Sequence, residues 1–301
     1  MRQKLEDNPN FTGYLFAILA TAIWSGNFVI ARGLSDDISP ISLAFWRWVI
    51  ATVVLLPMAI KPLIKQRKEI RKHLPYLCIT GLLGVTIFNT MLYYAGKTTT
   101  AINLSLLSIT FPIFIILISR VVFKEAIGWK KTLGIAIVAF GVIFMITKGH
   151  LSTLLGLTFQ VGDLWMIGGA FVFAVYSILL RKKPADLNIW SFQLSTFLLG
   201  LLFLSPIYVW DYFKTPDVLY TTTTYLSIGY VGVFASLAAF VLWNKSILNI
   251  GPSEAGMVYY TLPIFSGALA YFILDEPIGW LHITSAGLIF SGILIANTKP
   301  K

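Results

Sequence analysis

The sequence predicts an all-α polytopic membrane protein, with ten transmembrane helices in two inverted five-helix repeats. Composition is the first ground: 57% of the 301 residues are apolar and 12% charged, with a mean hydropathy of +0.79, which leaves too little polar surface to cover a soluble globule. The second is a duplication. Thr110-Phe111-Pro112-Ile113-Phe114, closing on Glu125-Ala126-Ile127-Gly128-Trp129, returns as Thr261-Leu262-Pro263-Ile264-Phe265, closing on Glu276-Pro277-Ile278-Gly279-Trp280 at the same internal spacing. The third is the placement of the basic residues. They sit in short connections between apolar runs and form no continuous face, so a net charge of +10 points to the anionic leaflet of a lipid bilayer and not to nucleic acid.

The first apolar run, Gly13 to Leu34, has the ~20 residues of a spanning helix and exceeds the core of a cleavable signal, so it reads as a retained helix. Further spans are predicted at Ile41 to Ile60, Leu74 to Ala95, Thr99 to Phe123, Gly128 to Ile146, Val161 to Leu180, Ile189 to Trp210, Thr222 to Trp243, Pro252 to Leu274 and Ile278 to Asn297. The longest connections are Lys61 to His73 and Gly149 to Gln160, and no soluble domain fits between spans. Cys78, the single cysteine, lies inside an apolar run and offers neither a disulfide framework nor a metal cluster.

Lysine and arginine counts in the loops set orientation. With the N-terminus cytoplasmic, eighteen of the 23 basic residues fall on cytoplasmic segments or helix edges, Arg32, Lys97, Lys148 and Lys214 fall outside, and Arg47 lies within a helix. Both termini are therefore predicted to be cytoplasmic. The duplication extends beyond the opening stretch: Gly13 to Arg32 matches Gly162 to Arg181, and Pro57 matches Pro206, at one offset of 149 positions. The copies are bounded at residues 12–146 and 161–297. An odd number of helices per copy inserts the second upside down, which places Glu125 at the cytoplasmic side and Glu276 at the outer side as interface-level charges. Inverted repeats characterise secondary transporters, whose substrate site lies near the midplane between the copies.

Ala22-Ile23-Trp24-Ser25-Gly26-Asn27-Phe28 in the first span, Phe45-Trp46-Arg47-Trp48 in the second, and the Pro-Ile-Phe to Glu unit ending the fourth and ninth, in duplicated order over almost the whole chain, resemble the EamA type of the drug/metabolite transporter superfamily. The resemblance implies a multi-pass protein of the bacterial cell inner membrane that moves small metabolites by alternating access. Such proteins often export amino acids or related compounds and often couple to protons. The second copy departs from the pattern: Thr196 stands where Arg47 would repeat, and Ala174-Val175-Tyr176 replace Ser25-Gly26-Asn27.

Arg47 lies about two turns into its helix, roughly 10 Å below the outer end. A charge at such depth costs ~2.5 kcal/mol or more unless water or a partner meets it, so it should face the bundle interior. It is either a contact for a substrate carboxylate or a structural arginine, capping a neighbouring helix or snorkelling to the headgroups beside Trp46 and Trp48. Asn27, Asn89 and Asn103 lie at similar depth, lining a polar cavity with Arg47 or serving as interhelical glue. Trp24, Tyr93, Tyr176, Trp243, Tyr259 and Tyr260 are candidates for an aromatic lining that suits an aromatic or cationic substrate, whereas Trp129, Trp210 and Trp280 read as interfacial belts. Pro112 and Pro263 free a carbonyl one turn back and act as hinges or as static kinks. Glu254, following Gly251-Pro252-Ser253 at the cytoplasmic start of the ninth span, is a helix-start charge or a coupling and gating carboxylate.

An enzyme is not expected: the chain has no His-Glu-x-x-His, Gly-x-Ser-x-Gly or Walker motif, and His73, His150 and His282 fall at helix ends or loops. A sensing receptor lacks a signalling domain. The expected partners are a small-molecule substrate, the lipid bilayer and protons as coupling ion, with no metal and no cofactor. Small-residue pairs Ala235/Ala239, Ser266/Ala270 and Gly292/Ala296 suit either packing within one chain or a homodimer.

Overall fold

The computed structural model describes residues 9–98, 104, 107–108, 110–124, 128–146, 161–214, 221–262, 264–266, 268–269 and 280–297. In chain order the helices are α1 (Pro9–Gly33), α2 (Pro40–Lys65), the connector α3 (Arg67–Lys72), α4 (Leu74–Thr98), α5 (Thr110–Val122), α6 (Trp129–Ile146), α7 (Val161–Arg181), α8 (Ile189–Lys214), α9 (Thr222–Tyr259) and α10 (Trp280–Asn297). Among the described residues, six of them are long and apolar enough to cross a membrane: α1, α2, α4, α7, α8 and α9.

Local chemistry accounts for where these helices begin and break. Ser39 caps α2 by accepting from the Ser42 N–H at 3.0 Å, with Pro40 at the first helical position, and Thr221 caps α9 by accepting from the Thr224 N–H at 3.2 Å. The predicted eighth span ends at Trp243, yet α9 continues helically to Gly251. The polar Asn244 that closes the apolar run finds buried partners in Tyr176 and Gln193, so it does not end the helix. Gly251, at φ 82° and ψ 162°, makes the break before Pro252, in a region of backbone space open almost only to glycine. No described residue lies within 4 Å of where a Cβ would sit there, so Gly251→Ala tests the backbone. It is expected to cost about 2 kcal/mol of stability, read from the unfolding midpoint of the purified protein.

The repeat offset reappears in the packing. α1 packs against α9 and α7 against α4, α2 against α8, and α6 against α10; each pair is exchanged for another, or for itself, when the two halves are swapped. The repeat mates α2 and α8 run antiparallel and are tied at both ends. Ser39, before α2, bonds Asp211 near the end of α8, while Gln66, after α2, donates to the Asp186 carbonyl at 2.6 Å and accepts from the Asn188 N–H at 3.1 Å just before α8. Mates that oppose each other in this way are what an inverted pair of copies demands. At the Gln66 end, Asp186 also meets His73 at 3.0 Å and Lys72 at 3.3 Å; the hydrogen bond with His73, then Lys72, holds its carboxyl below the usual carboxylate range.

Two π-helical segments, Leu82–Ile87 in α4 and Val231–Ala238 in α9, begin 149 positions apart. The wider turn displaces carbonyls from the α-helical ladder. In each copy a side chain bonds the carbonyl five residues back: Asn89 donates Nδ2 to Gly84 O at 3.0 Å, and Ser236 donates Oγ to Val231 O at 2.7 Å. Against these segments pack α8 and α2 respectively.

Large apolar side chains such as Phe213, Leu226 and Ile283 are exposed on the outside of the bundle, and Trp129, Trp210 and Trp280 are exposed as well. Of the small-residue pairs, Ala235 and Ala239 are fully buried in the bundle, and Gly292 and Ala296 lie against Gly134 of α6. Both pairs are used within one chain.

Candidate functional site

Arg47 of α2 is fully buried and turns inward. Its Nε donates to Ser236 Oγ at 2.5 Å, and its Nη1 donates to the Tyr93 hydroxyl at 2.5 Å and to Asn27 Oδ1 at 3.5 Å; Tyr93 in turn donates to Asn27 Oδ1 at 3.0 Å. Four helices, α1, α2, α4 and α9, thus converge on one guanidinium. Its central carbon lies 5.4 Å from the Trp48 ring centroid and 5.5 Å from that of Tyr93, so ring faces supply part of the compensation that water would give. Snorkelling is thereby set aside, because Trp48 is itself fully buried against Phe197 and Phe240. Among the described residues no carboxylate pairs with Arg47. The charge is met by neutral dipoles and aromatic faces.

Five sequence candidates, Trp24, Asn27, Arg47, Asn89 and Tyr259, line one pocket together with Phe88 and Phe173. The free space among them, about 10 Å³, is at the limit of a single water, so the pocket is closed around its own side chains. Trp24 is held by its indole N–H, which donates to the Ala235 carbonyl at 2.9 Å in the π segment of α9. It meets Phe173, its repeat mate, edge-on at 5.5 Å. Tyr259 shares a hydrogen bond with the Ser108 side chain and sits edge-on to Phe111 at 4.8 Å. Asn89 spends its amide donor on Gly84 O within its own helix.

The other candidates are distributed differently. Tyr93 stands behind Arg47, joined to it and to Asn27. Tyr176 lies beyond Phe173, stacked on it at 5.5 Å, and its hydroxyl donates to Asn244 Oδ1 at 2.9 Å, so it belongs to a separate cluster. Glu254 has partners on two other helices: Lys131 of α6 meets it at 3.0 Å and the Tyr14 hydroxyl of α1 donates to it at 3.4 Å, which ties three helices together. Pro112 lies in α5, where Leu107 and Ser108 before it are helical as well; its ring packs toward Gly256 of α9. Asn103 and Pro263 lie outside the described residues, as do Glu125 and Glu276.

Ser236 and Phe173 contribute to the site without being marked in the sequence, because a serine or phenylalanine in an apolar run carries no signal of its own. Gln193 and Asn244 are legible in principle: each is an amide in or beside an apolar run, the criterion that singles out Asn27.

Residues 11–147 and 160–298 each match the EamA-like transporter family. An uncharacterized transporter of Archaeoglobus fulgidus is 26% identical over 292 residues, covering 96% of this chain and 99% of that one. A protein of Streptantibioticus cattleyicolor named a probable terminal-alkyne amino-acid exporter is 23% identical over 283 residues, covering 94% and 92%. A protein of known crystal structure superposes with a TM-score of 0.76 at 17% identity, covering 95% of this chain and 96% of that one, and so shares the fold.

Proposed function

Because the chain belongs to the EamA-like transporter family, within the drug/metabolite transporter superfamily, and is a polytopic membrane transporter and not an enzyme, we propose that its cargo is a small carboxylate-bearing metabolite, an amino acid or close derivative, exported by alternating access. The observation that carries this reading is Arg47: a fully buried guanidinium, balanced only by neutral groups among the described residues, facing a pocket walled by Trp24, Phe173 and Tyr259. A buried cation of that kind favours an anionic group, and its planar fork grips a carboxylate with two hydrogen bonds. The aromatic wall accommodates an apolar side chain or the face of a ring. The Streptantibioticus cattleyicolor protein named a probable terminal-alkyne amino-acid exporter, similar over nearly the whole chain, favours the same class.

Alternating access requires the ends of the path to open in turn. The Glu254–Lys131–Tyr14 tie joins α9, α6 and α1 just beyond the Gly251 break, and opening the path at that end must part it, so this is the coupling and gating element of the proposal. Gly251 and Pro112 sit beside the segments that would move, with Pro263 in the same role. Both termini, residues 12–146 and residues 161–297 keep the orientation that the loop charges assign, with the Gln66 end of α2 cytoplasmic.

The test is a thermal-shift comparison of neutral L-amino acids with the matching amino-acid amides. A carboxylate ligand at 100 times its Kd is expected to raise stability by about 2.7 kcal/mol, by mass action on the folded state. Amides that stabilise as well as the acids would overturn the assignment of Arg47 to the carboxylate.

A further inference from the structure

Tyr176 on α7, Gln193 on α8 and Asn244 on α9 form a second buried polar cluster. The Tyr176 hydroxyl donates to Asn244 Oδ1 at 2.9 Å, Asn244 Nδ2 donates to Gln193 Oε1 at 2.6 Å, and the chain stops at Gln193 Nε2, which has no partner among the described residues although Gln193 is fully buried. The run of hydrogen bonds has a direction. Turning both amides over would leave the Tyr176 hydroxyl hydrogen unmatched instead, so in either arrangement a buried donor faces no acceptor. Such a donor costs ~1–3 kcal/mol.

This cluster is the counterpart of the one around Arg47. It is built on α7, α8 and α9, the repeat mates of the α1, α2 and α4 that carry Asn27, Arg47 and Tyr93, and Tyr176 stands 149 positions after Asn27. The two clusters lie toward opposite ends of the bundle: Asn27 and Arg47 flank the connection that ends at Ser39, whereas Tyr176 and Gln193 flank the connection that bonds Gln66, at the other end of α2. Between them stand the mates Trp24 and Phe173; Phe173 lines the Arg47 pocket and also stacks on Tyr176. Where the first half offers a charged donor, the second offers a neutral one.

We infer that Tyr176, Asn244 and Gln193 are a second station for the oxygen-bearing end of the substrate, with Gln193 Nε2 donating to a carboxylate or carbonyl oxygen on the cytoplasmic side of the Trp24/Phe173 layer. The inference rests on the proposed transport of carboxylate-bearing metabolites. The oxygen-bearing end passes between Gln193 and Arg47 as the aromatic pair parts. An uncharged donor makes the cytoplasmic station the weaker of the two.

Gln193→Glu is the discriminating variant, because Oε1 keeps its bond from Asn244 while the unmatched NH₂ becomes an oxygen. The probe is a radiolabelled mixture of neutral L-amino acids, with KM measured in inside-out and right-side-out membrane vesicles of the full-length protein. KM at the cytoplasmic face is expected to rise about tenfold or more, and KM at the outer face to stay within about twofold. Gln193→Met, which deletes the donor, is expected to give the same asymmetric rise and replaces the glutamate variant if that does not fold. An unchanged cytoplasmic KM in a folded Gln193 variant, while Arg47→Lys raises the outer KM, overturns the second station alone. Unchanged KM values in both variants, or a parent protein that carries none of the mixture, overturn the carboxylate reading with it.

Discussion

Arg47→Lys is expected to weaken binding of a carboxylate-bearing substrate by roughly 10- to 100-fold while leaving the yield of folded protein near that of the parent. Lysine keeps the positive charge, so the ring faces of Trp48 and Tyr93 are still opposed by a cation, and an ammonium has donors enough for the Tyr93 hydroxyl and Asn27 Oδ1. What it loses is the fork. The Nε bond to Ser236 fixes the guanidinium plane, and a compact ammonium cannot present two parallel donors to a carboxylate from that position. One charge-assisted hydrogen bond is worth ~1.5–3 kcal/mol, which sets the expected range. Thermal unfolding with and without ligand separates this from the competing role. If Arg47 only braces α1, α2, α4 and α9, the variant loses stability and any ligand-induced shift survives at its original size.

Gly134→Leu is expected to destabilise the protein by roughly 4 kcal/mol, through a clash that side chains cannot absorb. A Cβ at position 134 would lie 2.5 Å from the Gly292 carbonyl oxygen and 2.7 Å from Ala296 Cβ; one at 292 would lie 2.7 Å from the Gly134 oxygen. The carbonyl contacts are to backbone, so no rotamer change relieves them and α6 must move away from α10. Among the described residues the pair meets the rest of the bundle through the Lys131–Glu254 ion pair and an apolar cluster. The apolar cluster there is the small one of Ile116, Val138, Met257, Tyr260 and Ile289, separate from the main core. The check is the denaturant midpoint together with the mass of the solubilised particle. A variant of normal stability whose particle mass halves would mean that the glycine face joins two copies of the chain.

What is legible in the sequence follows from the chemistry of each residue. A buried arginine must be satisfied, so the inward orientation of Arg47 is legible, as is a cavity shared with Asn27 and Asn89. Tyr176 does not belong to that cavity: at the depth of Asn27 in the mate helix, it points by inversion to the opposite side of Phe173. The end of the eighth span expected at Trp243 fails for a related reason. Hydropathy treats Asn244 as the close of a span, whereas Tyr176 and Gln193 absorb its hydrogen bonds and let α9 run on to Gly251.

The sequence by itself determined residence in lipid, the two-copy organisation, the start of a span at Pro252 and the residues whose polarity demanded partners. Each of these is a property of composition or spacing, felt by a residue wherever its helix comes to rest. Only the tertiary structure decided which polar groups meet. In a bilayer the lipid tails are as apolar as a protein core, so an apolar side chain is equally at home facing lipid or a neighbouring helix, and hydropathy does not mark the packed face. That is why the role of the α9 π segment, which turns Ser236 Oγ toward Arg47 and the Ala235 carbonyl toward Trp24, is fixed only where α2 and α8 lie against opposite halves of the chain.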